Sequence, residues 1–304
     1  MTHAPDPSAT APTAPTTPTA DAASRADRSR TDRRAQRRTV LMCRPEHFAV
    51  DYVINPWMDP SRPVDVDLAL AQWQALHDTY VRLGHEVRLI DPVPGLPDMV
   101  YAANGGFTLD GLAYGARFTY PERQAEGPAY LEWFRGAGFR AVDAEEVNEG
   151  EGDLLLVGDV VLAGTGFRTD PRAHDELARL TGREVVGLTL VDPRFYHLDT
   201  AMAVLDRDPV DGTVGVAYVE AAFDERSLGV LRERFPDALV VADEDAAVLG
   251  LNSWSDGRHV VISQAARGFE RQLRERGYEP VPLDLSELLK GGGGVKCCTL
   301  DLRP

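Results

Sequence analysis

Cysteine is scarce in this chain. Only three cysteines occur in 304 residues: Cys43 stands alone, whereas Cys297 and Cys298 are adjacent near the C-terminus. Three cysteines spaced in this way make no disulfide framework. The sequence therefore excludes a small disulfide-stapled secreted fold and predicts a protein of the reducing cytoplasm.

Long hydrophobic runs and excess positive charge are also missing. No apolar run approaches the length of a membrane span, and the formal net charge is −16. An acidic surface binds nucleic acid and anionic membranes poorly, although it attracts a cationic small molecule. We therefore expect no nucleic-acid or membrane partner. With 43% hydrophobic residues, the chain can bury the core of one or two domains.

The first 38 residues differ in composition from the rest. Residues 1–23 consist almost entirely of Ala, Thr, Pro and Asp, and residues 25–38 form an arginine-rich run without an apolar face. Such a segment cannot bury enough surface to offset the entropy lost on ordering. Residues 1–38 are therefore predicted to be a disordered tail, and residues 39–304 a single domain.

From Thr39 onward, a unit of strand, strand, helix and strand repeats about five times. The predicted helices cover roughly residues 66–83, 121–135, 171–180, 224–235 and 264–276. The two strands predicted before the last helix cover residues 247–249 and 259–262. Each helix ends in a turn that leads into a short apolar strand, and four of the five turns begin with glycine, which suits a left-handed helix cap. This period favours a closed, propeller-like α/β fold with a central channel, although periodicity alone leaves an ordinary α/β sandwich open.

The C-terminal stretch 291–304 reads GGGGVKCCTLDLRP. Its four glycines predict a flexible loop, and the alternation after the cysteines predicts a short strand. If Cys297 and Cys298 are extended, their side chains point to opposite faces, so at most one thiol faces a pocket. Two small buried hydrophobic side chains remain the simpler explanation of this stretch by itself.

Other polar residues gather close to predicted strands. If their stretch is extended, His197 and Asp199 share one face, which places a base beside a carboxylate. Residues 148–153 alternate carboxylates with glycines, and Asp98 and Asn104 stand six residues apart before another strand. Dense carboxylates bind a metal, hold an organic cation or face water. The ligand spacing of a calcium loop is not met, so we expect no metal.

Taken together, these stretches resemble the guanidino-group-modifying enzymes, the superfamily of arginine deiminase, dimethylargininase, glycine amidinotransferase and arginine dihydrolase. The resemblance covers residues 40–303. Four motifs carry it, in this order: Asp98-x-x-Tyr-x-x-Asn104, the acidic glycine-rich loop, His197-Leu-Asp-Thr, and Cys297 in a Val-x-Cys sequence. It implies a five-fold pseudosymmetric α/β propeller of ββαβ units with the active site in the central channel, which agrees with the repeat.

The resemblance also implies catalytic residues. Cys297 is expected to be the nucleophile with Cys298 as its buried neighbour, and His197 the general acid and base. Glu151 is expected to hold the guanidinium and orient the histidine. Since the family's acid-Gly-Gly-Asp reads Glu-Gly-Glu-Gly-Asp here, Glu149 is the alternative to Glu151.

Further residues are expected to bind the substrate, with the arginines gripping its carboxylate group: Asn55, Asp98, Asn104, Arg123, Arg168 and Asp199. The chemistry explains these residue types. A guanidinium carbon is resonance-stabilised, so attack on it requires a thiolate, and the leaving nitrogen must receive a proton. Carboxylates hold the planar cation bidentately and keep it charged. No cofactor is implied.

The resemblance implies a hydrolase that cleaves guanidino C–N bonds of arginine or a substituted arginine through an amidino-cysteine intermediate. Asn55, Asn104 and the sequence Met-Cys-Arg-Pro from Met42 are most similar to the arginine dihydrolase branch, which converts arginine to ornithine, two ammonia molecules and carbon dioxide. An amide at position 104 would tolerate a neutral ureido group, so citrulline could stay bound for a second hydrolysis. Dimethylargininase, which releases dimethylamine and citrulline from dimethylarginine, is the alternative, and arginine deiminase and amidinotransferase stay open.

Two function classes outside this superfamily stay open. A cysteine peptidase would leave the acidic loop without a role, and a non-catalytic propeller that binds a protein partner would not need a reactive thiol. A depressed thiol pKa predicts fast alkylation of Cys297 at neutral pH, whereas an inert buried thiol does not react. An oligomer is compatible with the sequence.

Overall fold

The structure, a computed structural model, describes residues 33–206 and 215–304, and its strands form five three-stranded sheets. Every sheet has a middle strand that pairs antiparallel with one neighbour and parallel with the other. The strands are β1 (Thr39–Cys43), β2 (Glu86–Ile90), β3 (Gly106–Leu109), β4 (Leu112–Gly115), β5 (Arg140–Val142), β6 (Leu154–Val157), β7 (Val160–Thr165), β8 (Glu184–Thr189), β9 (Met202–Val204), β10 (Val216–Tyr218), β11 (Leu239–Val240), β12 (Trp254–Ser255), β13 (His259–Ser263), β14 (Glu279–Leu283) and β15 (Leu300–Leu302).

Helices connect the second and third strands of each sheet and also form short turns elsewhere. They are α1 (Val66–Arg82), α2 (Glu126–Gly136), α3 (Pro171–Thr181), α4 (Leu198–Ala201), α5 (Glu225–Arg234), α6 (Asp243–Ala246), α7 (Arg267–Glu275) and α8 (Ser286–Leu289). The glycines predicted to end four of the long helices all adopt positive φ angles: 89° at Gly84, 90° at Gly138, 68° at Gly182 and 78° at Gly277. The helix-to-strand joints therefore follow the sequence prediction.

Helix α1 illustrates how the sequence specifies these elements. The Asp65 side chain caps it by accepting a hydrogen bond from the backbone N–H of Leu68 at 3.0 Å. Apolar residues at helical spacing, among them Trp73, Leu76 and Tyr80, form its buried face. The capping residue and the period of the apolar positions together fix where the helix begins and which side faces the core.

The first sheet joins the two ends of the domain. Strand β15 pairs antiparallel with β1, with Thr39 opposite Leu302, so the C-terminal strand completes the sheet that the N-terminal strand begins. The other four sheets each use three strands that are consecutive in sequence. The C-terminal cysteines are thereby held against the start of the domain.

One strand from each sheet faces the centre of the molecule. Strand β15 contacts β3, a 3₁₀ turn at Gly150–Gly152 contacts both β3 and β6, and β9 contacts both β6 and β12. The indole N–H of Trp254 in β12 donates to Asp301 Oδ1 in β15 at 3.1 Å and joins the last sheet to the first. The five ββαβ units thus form the predicted pseudosymmetric α/β propeller.

Two local predictions differ from the structure. Residues 247–249 were expected to form a strand, but this segment follows α6 as a turn, and β12 (Trp254–Ser255) supplies the strand instead. The helix predicted from Pro121 begins only at Glu126, and residues 121–125 form turns in which Arg123 makes a buried ion pair with Glu126.

Residues 33–38, which the sequence assigns to the predicted tail, include contacts with the domain. Arg33 Nη1 contacts Asp206 Oδ2 at 2.8 Å, and its guanidinium lies 3.5 Å from the ring centroid of Tyr278. Gln36 N–H donates to the carbonyl of Asp256 at 2.8 Å. The predicted disordered tail lies otherwise outside the described residues. Within residues 33–206 and 215–304, no helix is both long and apolar enough to cross a membrane.

Candidate active site

The glycine-rich C-terminal loop is packed rather than flexible. Residues 291–299 are all buried. A Cβ atom added to Gly291 would lie 2.2 Å from the Tyr101 hydroxyl oxygen, and one added to Gly293 would lie 2.2 Å from Cε1 of the same ring. This corrects the expectation of a flexible loop: the glycines are needed because an aromatic ring lies against the backbone.

Cys297 and Cys298 lie in a turn rather than in a strand, and both are buried. The Cys297 thiol contacts Asp199 Oδ2 at 3.3 Å and accepts a hydrogen bond from Asn252 Nδ2 at 3.1 Å. Cys298 packs within an apolar cluster. The two thiols therefore have the different environments that the sequence predicted, although a turn, and not the alternation of a strand, separates them.

The thiol of Cys297 is held in its neutral form. Burial raises its pKa well above the usual range, and the neighbouring Asp199 carboxylate raises it further. The pKa of this thiol is therefore raised in the structure, whereas fast alkylation at neutral pH would require a depressed one. A positive charge brought to the sulfur would be required to form the thiolate.

His197 stands immediately before the short helix α4. Asp153 Oδ1 accepts the backbone N–H of Leu198 at 3.0 Å, which fixes the start of this helix and hence the position of the histidine. Nε2 of His197 lies 2.7 Å from Glu149 Oε2. Because an ionised carboxylate only accepts hydrogen bonds, Nε2 carries the proton and Nδ1 is the basic nitrogen. Nδ1 is buried and has no hydrogen-bond partner among the described residues.

The acidic loop sends its two glutamates in different directions. The 3₁₀ turn at Gly150–Gly152 separates them, and Gly150 has a φ of 56°, with no room for a Cβ atom against the backbone of Gly106. Glu149 reaches His197, whereas Glu151 does not. The groups bound by Glu151 are Lys296 Nζ at 2.8 Å, the backbone N–H of Asp301 at 3.0 Å and Arg303 Nη1. This corrects the expectation that Glu151 orients the histidine and favours its alternative, Glu149.

Glu149 is ionised at neutral pH. Burial works to raise its pKa, but the Arg168 guanidinium, 3.0 Å away, and the hydrogen bond with His197 outweigh burial and hold the pKa well below its usual range. Glu149 therefore presents a full negative charge to the histidine and stabilises the imidazolium that forms when Nδ1 takes up a proton.

Two aspartates add carboxylates whose hydrogen-bonding capacity is partly unused. Asp98 Oδ2 accepts the Tyr52 hydroxyl at 2.8 Å, and Asp199 Oδ2 contacts the Cys297 thiol. The Oδ1 atom of each is buried and has no hydrogen-bond partner among the described residues. Burial raises the pKa of Asp98, and it raises that of Asp199 to about 6. Both carboxylates are therefore suited to a cation that restores their lost solvation.

The two predicted arginines are paired with protein carboxylates. Arg123 donates to both oxygens of Glu126 at 2.9 and 2.8 Å. Arg168 binds Glu149, and its guanidinium carbon lies 4.6 and 4.8 Å from the ring centroids of Tyr120 and Tyr196. The grip of these arginines on a substrate carboxylate stays a prediction; in the structure they neutralise acids at the edge of the site.

The two predicted asparagines also bind the protein itself. Asn104 Oδ1 accepts from Arg123 Nη1 at 2.9 Å, and its Nδ2 donates to the Glu149 carbonyl at 3.3 Å. Asn55 Nδ2 donates to the Gly291 carbonyl at 3.0 Å. Their amide groups therefore connect the loops of the site to one another.

Two residues of the site went unpredicted. Tyr52 is the hydroxyl donor to Asp98, and Asn252 is the amide donor to Cys297. Neither belongs to a motif with fixed spacing, and Asn252 is separated from the nucleophile by 45 residues of sequence. Only the tertiary structure brings them to the site.

The arrangement combines a thiol, a histidine with a free basic nitrogen, and three buried carboxylates: Glu149, Asp98 and Asp199. Such a group binds a planar cation and then attacks it, with the histidine moving the protons. Among the residues that the structure describes, no group of three or more His, Cys, Asp and Glu side chains is arranged to hold a metal ion.

Comparison with known proteins supports this chemistry. No protein-family model matches the sequence. Over 272 residues, the chain is 57% identical to an N(G),N(G)-dimethylarginine dimethylaminohydrolase of Mycobacterium tuberculosis, which covers 90% of this chain and 88% of that protein. Over 268 residues, it is 36% identical to the bifunctional arginine dihydrolase/ornithine cyclodeaminase ArgZ of Synechocystis sp., which covers 86% of this chain but only 37% of that protein.

Solved structures agree in fold. The N-terminal domain of ArgZ bound to substrate, an arginine dihydrolase of cyanobacteria, matches with a TM-score of 0.81 at 35% identity, over 88% of this chain and 98% of that one. A dimethylarginine dimethylaminohydrolase adduct matches with a TM-score of 0.69 at 17% identity, over 88% of this chain and 100% of that one. At that identity the second match carries only the shared fold.

Proposed function

The chain belongs to the guanidino-group-modifying enzyme superfamily as a hydrolase of linear amidines, and on that premise we propose that it converts dimethylarginine to citrulline and dimethylamine. The sequence motifs favoured arginine dihydrolysis and left this reaction as the alternative. The 57% identity to a dimethylarginine dimethylaminohydrolase over almost its whole length supports the second reading better than 36% identity to ArgZ over about a third of its length.

The observation that carries the proposal is a set of three buried atoms without hydrogen-bond partners among the described residues. They are His197 Nδ1, Asp98 Oδ1 and Asp199 Oδ1, and Asp199 also contacts the Cys297 thiol. Leaving such atoms unsatisfied costs on the order of 1–3 kcal/mol each. A guanidinium offers N–H donors in one plane and a positive charge, so it satisfies the two carboxylates and compensates their desolvation.

Binding of the cation also activates the nucleophile. The Cys297 thiol is neutral because it is buried beside Asp199. A bound guanidinium neutralises that carboxylate and brings positive charge to the sulfur, which lowers the thiol pKa where attack takes place. The thiol is thus mainly protonated, and slow to react, until the substrate arrives.

The reaction then proceeds in two halves. The Cys297 sulfur attacks the guanidinium carbon, the C–N bond to the dimethylated nitrogen breaks, and the thiol proton reaches that nitrogen through His197, so dimethylamine leaves and an amidino-cysteine cation remains. His197 Nδ1 next takes a proton from water, whose oxygen bonds to the same carbon. The C–S bond breaks, citrulline leaves, the thiol is restored, and the remaining proton passes to the released amine.

Arginine dihydrolysis is the second candidate, favoured by the fold match to the substrate-bound ArgZ domain. The sequence argument for it placed the Asn104 amide against a ureido group. In the structure that amide is bonded at both ends, to Arg123 and to the Glu149 carbonyl, so the geometry gives that role no support.

An amine-resolved product assay tests the proposal. Purified protein is offered dimethylarginine, arginine, citrulline and agmatine in turn, with the Cys297→Ser variant as control, and the products are identified by mass. Citrulline with dimethylamine is the expected result. Ornithine with two equivalents of ammonia from arginine would establish the second candidate instead, and turnover of none of the four would overturn both.

Two further proposals concern the partner and the cellular compartment. A small-molecule guanidino compound is the expected partner. The compartment that we propose is the reducing cytoplasm, which is compatible with three cysteines that are all free and buried.

A further inference from the structure

Asn252 is hydrogen-bonded to the loop that carries Cys297 through both its side chain and its backbone. Its side chain is fully buried. Oδ1 accepts the backbone N–H groups of Cys297 and Gly294, both at 3.0 Å. Nδ2 donates to the Cys297 sulfur and to the Asp199 carbonyl, both at 3.1 Å, and the backbone carbonyl of Asn252 accepts the N–H of Lys296 at 3.2 Å.

The orientation of this amide is forced by its neighbours. A backbone N–H group only donates and a backbone carbonyl only accepts. Oδ1 must therefore face the two N–H groups of the loop, and Nδ2 must face the Asp199 carbonyl. The remaining hydrogen of Nδ2 then points at the sulfur. Rotating the amide by half a turn would place Oδ1 there instead, but it would break the bonds to the two N–H groups and to the carbonyl.

The chain adopts an unfavourable conformation just before this residue. Leu249 has a φ of 53°, in the left-handed region that a bulky side chain rarely adopts. The N–H of Asn252 donates to the Leu249 carbonyl at 3.1 Å, so the same turn holds the asparagine. Backbone strain of this kind persists where the surrounding structure demands it.

We propose that Asn252 is a positioning residue that holds the Cys297 loop in its reactive geometry and donates a hydrogen bond that stabilises the thiolate. A donor to sulfur favours the charged form over the neutral thiol, and it opposes the Asp199 carboxylate on the other side of the sulfur. The inference rests on the proposed function only in that Cys297 is the nucleophile.

Most other groups that act on the sulfur oppose the thiolate or leave it unchanged. Asp199 and the Cys298 thiol disfavour the thiolate, and the hydroxyl groups of Tyr196 and Tyr101 are neutral because burial raises their pKa values. The backbone N–H of Gly294 favours the thiolate, and its own position depends on Asn252 Oδ1. The amide thus acts on the sulfur both directly and through this N–H.

Asn252→Asp is the sharpest test because it keeps the shape and one acceptor oxygen. The two loop N–H groups keep an acceptor oxygen, while the second carboxyl oxygen takes the place of the donor to sulfur. Ser253→Ala is the matched control: the neighbouring Oγ is buried but has no hydrogen-bond partner among the described residues. Asn252→Ala, which also lacks the donor, replaces the aspartate variant if that variant does not fold.

Two readouts do not depend on any substrate. The first is the rate of Cys297 alkylation by iodoacetamide against pH, with the modified residue identified by peptide mass. The second is the ultraviolet absorbance of the thiolate, taken as the difference from Cys297→Ser. Loss of the donor is expected to raise the titration midpoint by about one pH unit or more and to slow alkylation at pH 8 about tenfold or more, with kcat reduced more than KM is raised.

The outcomes separate the two proposals. If the wild-type protein turns over none of the offered guanidino compounds, the proposed function fails while the alkylation comparison still applies. If Asn252→Asp and Asn252→Ala titrate like Ser253→Ala and like the wild type, the inference about Asn252 is overturned, even where turnover falls.

Discussion

Two largely buried clusters of charged residues are built from the same two loops, the acidic loop and the loop that carries Cys297. The His197 cluster comprises Glu149, Arg168, His197, Asp199 and Cys297, and the Glu151 cluster comprises Glu151, Lys296, Asp301 and Arg303. Glu149 and Glu151 are two residues apart, and Lys296 and Cys297 are adjacent. Each loop thus contributes neighbouring side chains to both clusters.

The clusters differ in how completely their acids are bonded. Both oxygens of Glu151 accept hydrogen bonds from protein donors, and a cavity of about 40 Å³ borders that cluster. The His197 cluster instead contains a basic nitrogen and a carboxylate oxygen without partners among the described residues. The difference teaches that unsatisfied buried atoms of acids and bases, rather than the presence of charge or of a cavity, distinguish the His197 cluster.

The largest expected effect separates the two cysteines. Cys297→Ser and His197→Ala should lower kcat at least about 1,000-fold, because they remove the nucleophile and the proton carrier. Cys298→Ser should leave turnover largely intact, since that thiol packs in the apolar core. All three variants are checked by measuring, by mass, the products formed from dimethylarginine. Retained activity in Cys297→Ser would contradict the mechanism.

The next effect separates the two glutamates. Glu149→Gln should lower kcat about 100-fold, because the charge that stabilises the histidinium is lost. Glu151→Gln should instead lower the free energy of unfolding by about 3 kcal/mol, because it removes the carboxylate that the buried Lys296 ammonium and the partly exposed Arg303 guanidinium share. Steady-state kinetics and urea unfolding on both variants provide the comparison. A larger kcat loss in Glu151→Gln than in Glu149→Gln would reverse the assignment.

Asp199 links function to stability through pH. Burial raises its pKa to about 6, above its ordinary value near 4, so the folded protein binds the proton more tightly than the unfolded chain. This carboxyl therefore lowers the free energy of unfolding as pH rises from about 4 to 6, and the loss remains above that range. Asp199→Asn should raise the free energy of unfolding by about 3 kcal/mol at pH 8 and by about half of that at pH 5, while turnover falls.

Urea unfolding at the two pH values is the measurement for Asp199. The same titration of Cys298→Ser serves as a control, because that residue carries no charge at either pH. An Asp199→Asn variant that is no more stable than the wild type at pH 8 would show that the carboxylate is already compensated within the protein and does not need a bound cation.

The smallest expected effect concerns Tyr52. Tyr52→Phe removes one hydrogen bond to Asp98 and keeps the aromatic ring, so KM should rise by less than about tenfold with kcat little changed. Initial rates over a range of substrate concentrations check this. A loss confined to kcat would mean that the hydroxyl acts on the chemical step rather than on substrate binding.

Much of the fold was predictable because it depends on local signals. The apolar period of α1 and the glycines at the ends of the helices, such as Gly84 and Gly277, specify each helix and the strand that follows it. The prediction was wrong in the last unit, where a turn occupies residues 247–249, which were expected to form a strand. There the segment is short and apolar, and periodicity does not distinguish a strand from a buried turn.

The residue types of the site were predictable from motifs, but the directions in which the side chains point were not. His197, Asp98 and Asp199 each have a buried atom without a hydrogen-bond partner among the described residues. The choice between Glu149 and Glu151 depends on a 3₁₀ turn that opens at a glycine with positive φ, and the sequence left both open.

The sequence by itself determined the repeat, the chemistry of a thiol with a histidine and several acids, and the acidic surface suited to a cation. The tertiary structure alone decided which glutamate meets the histidine, that the glycine loop is packed, and that Asn252 reaches the sulfur across 45 residues. The physical reason is range. Periodicity and capping act over a few residues, whereas hydrogen-bond satisfaction and pKa values depend on groups that only the closed ring of five sheets brings together.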